Sequence, residues 1–282
     1  MGKKCFIIDT TKCTICYNCF LTCKDEFVDH AWPPYSAPQP DTDQFWVKVD
    51  EVERGQFPIV KSSFITLICQ HCEDPRCMKA ANNGAIYKRD DGLVIIDPVK
   101  SKGQKQLVEA CPYDRIYWNE ELDIPQKCTG CAHLLDQGWA VPRCVEACPT
   151  EALLFGDEEE FSDLIKQAEK LHPEYNTKPS TYYIGLPKTF IAGSVYDSDS
   201  KECVEKAKVT ITDKASVKSF DVKTDNYGDF ILDDLKADSV ISLNIEANGY
   251  YPFSIDDIPI KKDLTLRDIY LVPTSSIAKT AK

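Results

Sequence analysis

No apolar stretch in this 282-residue chain approaches the roughly 20 residues that a membrane-spanning helix needs, so direct membrane insertion is not expected. Twin arginines are missing too. The start, Met1-Gly2-Lys3-Lys4-Cys5-Phe6-Ile7-Ile8-Asp9, opens basic but has neither the long apolar core nor the small-residue cleavage site of an export signal. It reads as the first strand of a fold, and a cytoplasmic chain is expected unless a partner carries the signal. Positive charge is short, with 33 Lys and Arg against 45 Asp and Glu and a net charge of -12. Nucleic-acid binding is not expected on that ground, because nothing would neutralise a phosphate backbone. There is no nucleophile–base arrangement and no phosphate-binding loop. Cysteine is absent between residues 24 and 68 and occurs once after Cys148. Disulfide-dense proteins are small, secreted and poor in core. This chain is long and 43% hydrophobic, enough for packed cores, so a disulfide framework is not expected.

What is present is cysteine in bursts. The first burst, Cys13-Thr14-Ile15-Cys16-Tyr17-Asn18-Cys19-Phe20-Leu21-Thr22-Cys23, is C-x2-C-x2-C-x3-C. Three thiolates so close together wrap three corners of one iron–sulfur cube, and the fourth points to a different cluster. The second burst, Cys69-Gln70-His71-Cys72-Glu73-Asp74-Pro75-Arg76-Cys77, supplies three ligands and no local fourth. Cys111-Pro112 stands alone, in the usual form of an exchanged ligand. The third group is Cys128-Thr129-Gly130-Cys131 with Cys144-Val145-Glu146-Ala147-Cys148-Pro149. By itself it allows a zinc site. The Cys-Pro ending and the other bursts favour a cluster.

Twelve of the fourteen cysteines are thus assigned, enough for three 4Fe-4S clusters. Exchange of fourth ligands predicts the sharing. Cys13, Cys16, Cys19 and Cys148 hold cluster 1, and Cys128, Cys131, Cys144 and Cys23 hold cluster 2. Cys69, Cys72, Cys77 and Cys111 hold cluster 3. Cys5, in an apolar strand, and Cys203, in a polar loop, read as plain thiols. His71 and His133 stand next to ligands. They could tune potential, and the blander reading is that they pack and bind backbone.

The rest of the chain organises around these bursts. Residues 1–156 form the iron–sulfur domain, with an insertion at 24–68 whose run Trp32 to Pro40 is proline-rich and loop-like. Residues 157–187 read as a helix over 157–172, with an acidic start suited to a helix N-terminus, followed by a linker. Residues 188–274 read as a β-sandwich of short period-two strands at 190–196, 208–212, 229–232, 240–245 and 264–271. Its turn signatures, Thr224-Asp225-Asn226-Tyr227-Gly228 and Ala247-Asn248-Gly249-Tyr250, resemble those of small transthyretin-like or Cna-B-like domains. Residues 275–282 form a tail. The expected fold class is α+β: a double bacterial-ferredoxin-like 4Fe-4S domain followed by a small all-β immunoglobulin/transthyretin-like sandwich.

The motifs from Cys69 to Cys77, Lys127 to His133 and Val145 to Thr150 resemble the iron–sulfur subunit of the dimethyl sulfoxide reductase family of molybdopterin enzymes. That pattern is two fused ferredoxins with four clusters. Counted onto it, the ligands of one cluster fall on Ala81, Ser101, Gln104 and Leu107, and all four have lost cysteine together. In the family arrangement the lost site is expected between the third cluster and the other two, leaving the third poorly connected. The run from Gly84 to Pro98, the run from Cys111 to Glu121 and the added sandwich look like the small subunit of pyrogallol–phloroglucinol transhydroxylases. The resemblance implies an electron-transfer subunit of a heteromeric enzyme, without a substrate site of its own. It also implies a large partner that carries a molybdenum bis-pterin cofactor and acts on polyhydroxylated aromatics by transhydroxylation or dehydroxylation. The alternatives are the electron-transfer subunit of a molybdopterin reductase for sulfur or arsenic oxyanions, and a zinc-bound interaction scaffold.

Overall fold

The computed structural model describes residues 2–236 and 238–276. The tail expected at 275–282 lies outside the described residues from 277 on. The chain divides into two compact units, Met1–Val52 with Phe64–Leu186, and Glu53–Ser63 with Pro187–Lys282. Residues 53–63, expected within the insertion of the first domain, therefore cluster with the second unit.

The first unit begins with β1 (Lys4–Asp9), α1 (Asn18–Phe27) and the hairpin β2 (Lys48–Gln56) and β3 (Ile59–Leu67), whose tip belongs to the second unit. It continues through α2 (Arg76–Ala80), β4 (Ile86–Lys88), β5 (Val94–Ile96), α3 (Gln106–Glu109), β6 (Tyr117–Asn119) and β7 (Ile124–Gln126). It ends with α4 (Ala132–Asp136), α5 (Arg143–Glu146), β8 (Leu153–Asp157), α6 (Ser162–Ile165) and β9 (Thr181–Ile184). β1 is central in a three-stranded sheet, antiparallel to β8 and parallel to β9. Its run Cys5-Phe6-Ile7-Ile8 is buried on both faces, as a central strand of continuous apolar residues should be. Phe6, Ile8, Phe27, Trp46, Ile68, Leu93 and Tyr183 join the cysteines in one core. Burying each such side chain contributes about 1.5–3 kcal/mol.

Two expectations need correction here. The helix over 157–172 is only the single turn α6, because Asp157 is taken by β8. It pairs with Lys4 in register and accepts a 3.0 Å ion pair from the Lys4 ammonium. Glu160 then folds back to accept a hydrogen bond from the Asp157 N–H, making a turn where a helix start was read. The linker at 173–187 contains β9. Prolines at 179 and 187 frame a four-residue strand whose alternate residues Thr181 and Tyr183 are fully buried. The insertion also holds the β2–β3 hairpin, which its proline-rich first half conceals.

The second unit is a β-sandwich. One sheet is formed by β10 (Thr189–Asp197), β13 (Asp229–Leu235), β16 (Leu264–Thr265) and β17 (Ile269–Leu271). The other is β12 (Lys218–Lys223), β11 (Lys208–Asp213), β14 (Ser239–Glu246) and β15 (Phe253–Ile260), in that order. The strand expected at 264–271 is split into β16 and β17, both parallel to β10. β12 and β15 lie beyond the strands anticipated. Ile191, Val195 and Phe230 meet Val209, Ile211, Ile241, Leu243 and Ile245 between the sheets. The opposite side of β10 is covered as well. Phe190 and Ala192 pack on Ile59 of the hairpin tip. Asp263 ties the tip down, taking the Arg54 guanidinium at 3.1 Å and the Phe190 N–H at 3.0 Å. Gly55, at φ +92°, is needed at this closure, since a Cβ there would stand 2.7 Å from the Phe190 ring.

Candidate metal centre

Local geometry builds each set of thiols. Before α1, Ile15 and Tyr17 take left-handed conformations, at φ 53° and 59°. This curls the loop so that Cys13, Cys16 and Cys19 face one pocket, which Cys148 also lines from later in the chain. Cys19 is buried and feels the charges of Cys13, Cys148 and Cys16. One turn further along α1, Cys23 is drawn into a different neighbourhood, that of Cys128 and Cys131. Cys144, on α5, interacts with Cys131, Cys128 and Cys23. Left-handed Gly130 and Cys131 (φ 66° and 52°) shape this second loop. The Gly130 N–H donates to the Cys128 sulfur at 3.3 Å.

The third set lines one pocket, with Cys69, Cys72, Cys77 and Cys111 around Val94, Ile116, Lys127 and Thr177. His71, at φ 41°, turns this loop. The Arg115 N–H donates to the Cys111 sulfur at 3.4 Å. Burial pushes the thiols of Cys19, Cys72 and Cys77 up to about 12 and that of Cys128 up to about 11. Loading iron must therefore release protons.

These residues fit iron–sulfur cubes better than single ions. All fourteen cysteines are free. Among the described residues no three His, Cys, Asp or Glu side chains stand close enough to hold one metal ion. The sulfurs instead surround cavities, as cube corners do. Two polar atoms beside ligands, His71 Nε2 and Thr129 Oγ1, are buried without a protein partner, the condition expected where a cluster's sulfur atoms accept them.

The histidines settle differently. His71 Nδ1 accepts the Val94 N–H at 3.1 Å, and burial holds its pKa well below the usual value. His133 Nε2 meets Glu26 at 2.9 Å, and its ring stacks on Trp32. Cys5 is buried in β1 and Cys203 is exposed.

The sets form a row. Cys144 reaches both Cys23 and Cys19, joining the second to the first. Cys128 stands against Cys69, joining the second to the third. Ala81 and Leu107 pack with Cys77 and Cys111, in a cluster that holds no cysteine of the first or second set. The relinquished site is therefore beyond the third set, and the expectation that it separates the third set from the others is wrong. Sequence spacing counts ligands, and it carries no information on which loop ends face each other. The relinquished site is also closed. Gln104 accepts the Asn82 N–H at 2.9 Å and donates to the Lys100 carbonyl at 2.8 Å, while Leu107 is wholly buried. Sequence reasoning missed Lys127, whose burial no local pattern signals.

Comparisons with known proteins cover both units. A 4Fe-4S dicluster domain family matches residues 60–158, and a carboxypeptidase regulatory-like domain family matches residues 190–271. The pyrogallol hydroxytransferase small subunit of Pelobacter acidigallici is 38% identical over 261 residues, covering 86% of this chain and 90% of that one. A sulfite dehydrogenase subunit of Allochromatium vinosum is 33% identical over 208 residues, covering 67% and 85%. A tetrathionate reductase subunit of Salmonella typhimurium is 30% identical over 193 residues, covering 66% and 73%.

Proposed function

This chain belongs to the iron–sulfur electron-transfer subunits of the dimethyl sulfoxide reductase family of molybdopterin enzymes, and on that premise we propose what it carries and serves. It holds three 4Fe-4S clusters, on Cys13, Cys16, Cys19 and Cys148, on Cys23, Cys128, Cys131 and Cys144, and on Cys69, Cys72, Cys77 and Cys111. It performs no chemistry on substrate. A large partner with a molybdenum bis-pterin cofactor does that, on polyhydroxylated aromatics, by moving or removing ring hydroxyls. The sandwich is of the immunoglobulin/transthyretin kind.

One observation carries the reading. Twelve cysteines fall into three sets of four, while the four positions of a further set are packed shut by Gln104 and Leu107. The aromatic substrate class rests on the likeness to the pyrogallol enzyme's small subunit, which spans both units.

Each bound cluster supplies one-electron storage at a potential that its surroundings tune. The chain's own residues do the rest. The second set is buried throughout, which excludes water and keeps the local dielectric low. The N–H groups of Gly130 and Arg115 point at ligand sulfurs and stabilise added negative charge. The first set has an exposed member, Cys16, and so offers the row an open end.

The test is anaerobic co-purification with the partner and metal analysis. About twelve irons per copy of this chain, with molybdenum in the partner, are expected. Iron near eight, or zinc in place of iron, would overturn the assignment. Failure of the complex to act on any polyhydroxylated benzene would overturn the substrate class alone.

A further inference from the structure

Lys127 is the residue between β7 and Cys128, and it is 3% exposed. A lysine so deep is costly unless its charge is compensated, since a buried ion loses several kcal/mol of hydration. Its ammonium donates to the carbonyls of Val94 and, at 3.0 Å, of Cys128. It also lines the pocket of the third set, together with Cys69, Cys72, Cys77 and Cys111. Two carbonyls take two of the three donors of an ammonium. No carboxylate pairs with it among the described residues. The negative groups around it are the sulfurs of Cys69, Cys77 and Cys128, members of two different sets.

We propose that Lys127 is a positioning charge that raises the reduction potentials of the second and third clusters, the third most, and couples the two as a pair. The proposal rests on the ligand assignment given above. A cube held by four thiolates is an anion, and accepting an electron adds one negative charge. A fixed positive charge beside the ligand sulfurs favours the reduced form over the oxidised one, and in a dry interior the effect is large. Of the sulfurs whose charge Lys127 feels, two lie in the third set, Cys69 and Cys77, and one in the second, Cys128. The first set feels Lys127 least, because the neighbours of Cys19 are its own set and no lysine. Placed between two anionic centres, the ammonium also offsets their mutual repulsion when both are reduced. With the position beyond the third set closed by Leu107 and Gln104, the far end of the row becomes the favoured resting place of an electron.

The experiment is an anaerobic redox titration of the complex, followed by electron paramagnetic resonance, for the wild type, Lys127→Met, Lys127→Gln and Lys127→Arg. In the neutral variants the third cluster should shift furthest to lower potential, the second less, and the first not at all. Lys127→Arg, which keeps the charge, should recover most of the shift. Unmoved potentials at full iron content, or equal shifts in all three clusters, overturn the proposal. If both neutral variants lose the third cluster's iron while the arginine variant keeps it, the charge is required even for assembly and the proposal stands. Loss in all three shows that only the lysine shape matters and overturns it. Wild-type iron near eight would instead overturn the ligand assignment beneath it.

Discussion

Two neighbouring places in the first unit are built on the same pair of short helices and end differently. α2 carries Cys77 near its start and is followed by Ala81; α3 carries Leu107 and is followed by Cys111. One end of each helix faces the third set of thiols, and the other faces the relinquished site. At the first, four sulfurs line one pocket. At the second, Leu107 joins Ile86, Val94, Ile96 and Ile116 in an apolar cluster, and Gln104 closes the backbone between Asn82 and Lys100. The backbone thus tolerates either outcome. Side-chain volume and hydrogen bonding decide it, because an unfilled cavity costs roughly 24 cal/mol per Å³ and an unpaired buried amide about 1–3 kcal/mol.

The comparison breaks most sharply on the metal. Cys111→Ser should lower iron from about twelve to about eight per chain, while Gln104→Ala should leave it at about twelve, measured on anaerobically prepared protein. Equal iron in both variants would mean that the two places do not differ as described. Next in size is the packing of the closed site. Leu107→Ala should cost about 2–5 kcal/mol in denaturant unfolding with iron unchanged, because Leu107 is 0% exposed. The same truncation at Val99, 83% exposed, should change stability by less than about 0.5 kcal/mol.

A smaller effect should come from the ion pairs at the turn of the β4–β5 hairpin. Arg89 bonds Asp91 at 3.0 Å and Asp136 at 2.7 Å. Asp91 is deeply buried and Asp136 is not, so Arg89→Met should cost about 2 kcal/mol, less than a wholly buried pair. The Arg89 guanidinium holds the Asp136 carboxyl down to about 2. A carboxyl depressed on folding adds stability above its ordinary value, and that stability fades as pH falls toward the folded value. The wild type should therefore lose stability between about pH 4 and pH 2 more steeply than Arg89→Met. Parallel acid melts would remove Asp136 from the account. Smaller again is Gln104→Ala itself, about 1 kcal/mol, because it leaves the Asn82 N–H without its 2.9 Å partner. Stability unchanged by that variant would show that water replaces the amide and that the site is less tightly closed.

The metal loops and most strands of the sandwich were legible because their signals are local. Cys13 to Cys23 spaces its ligands within one turn and a helix. β14 alternates buried with half-buried or exposed residues along Ser239–Glu246, the period-two pattern itself. The misreadings arose where a distant partner overrode a local preference. Asp157 could open a helix, and Lys4, more than 150 residues earlier, makes it the end of a strand. β9 is too short to announce itself between prolines and exists because β1 offers it an edge. The hairpin tip joins the sandwich because β10 has two apolar sides and one sheet covers only one.

By itself the sequence determined which cysteines come in bursts, which pattern they resemble and which four positions had given theirs up, since spacing and composition are written along the chain. Only the tertiary structure decided the order of the thiol sets in their row, the placing of the closed site beyond the third, and the burial of Lys127 between two of them. Those depend on which loops face each other across the core, and burial and charge compensation, unlike spacing, arise only once distant segments meet.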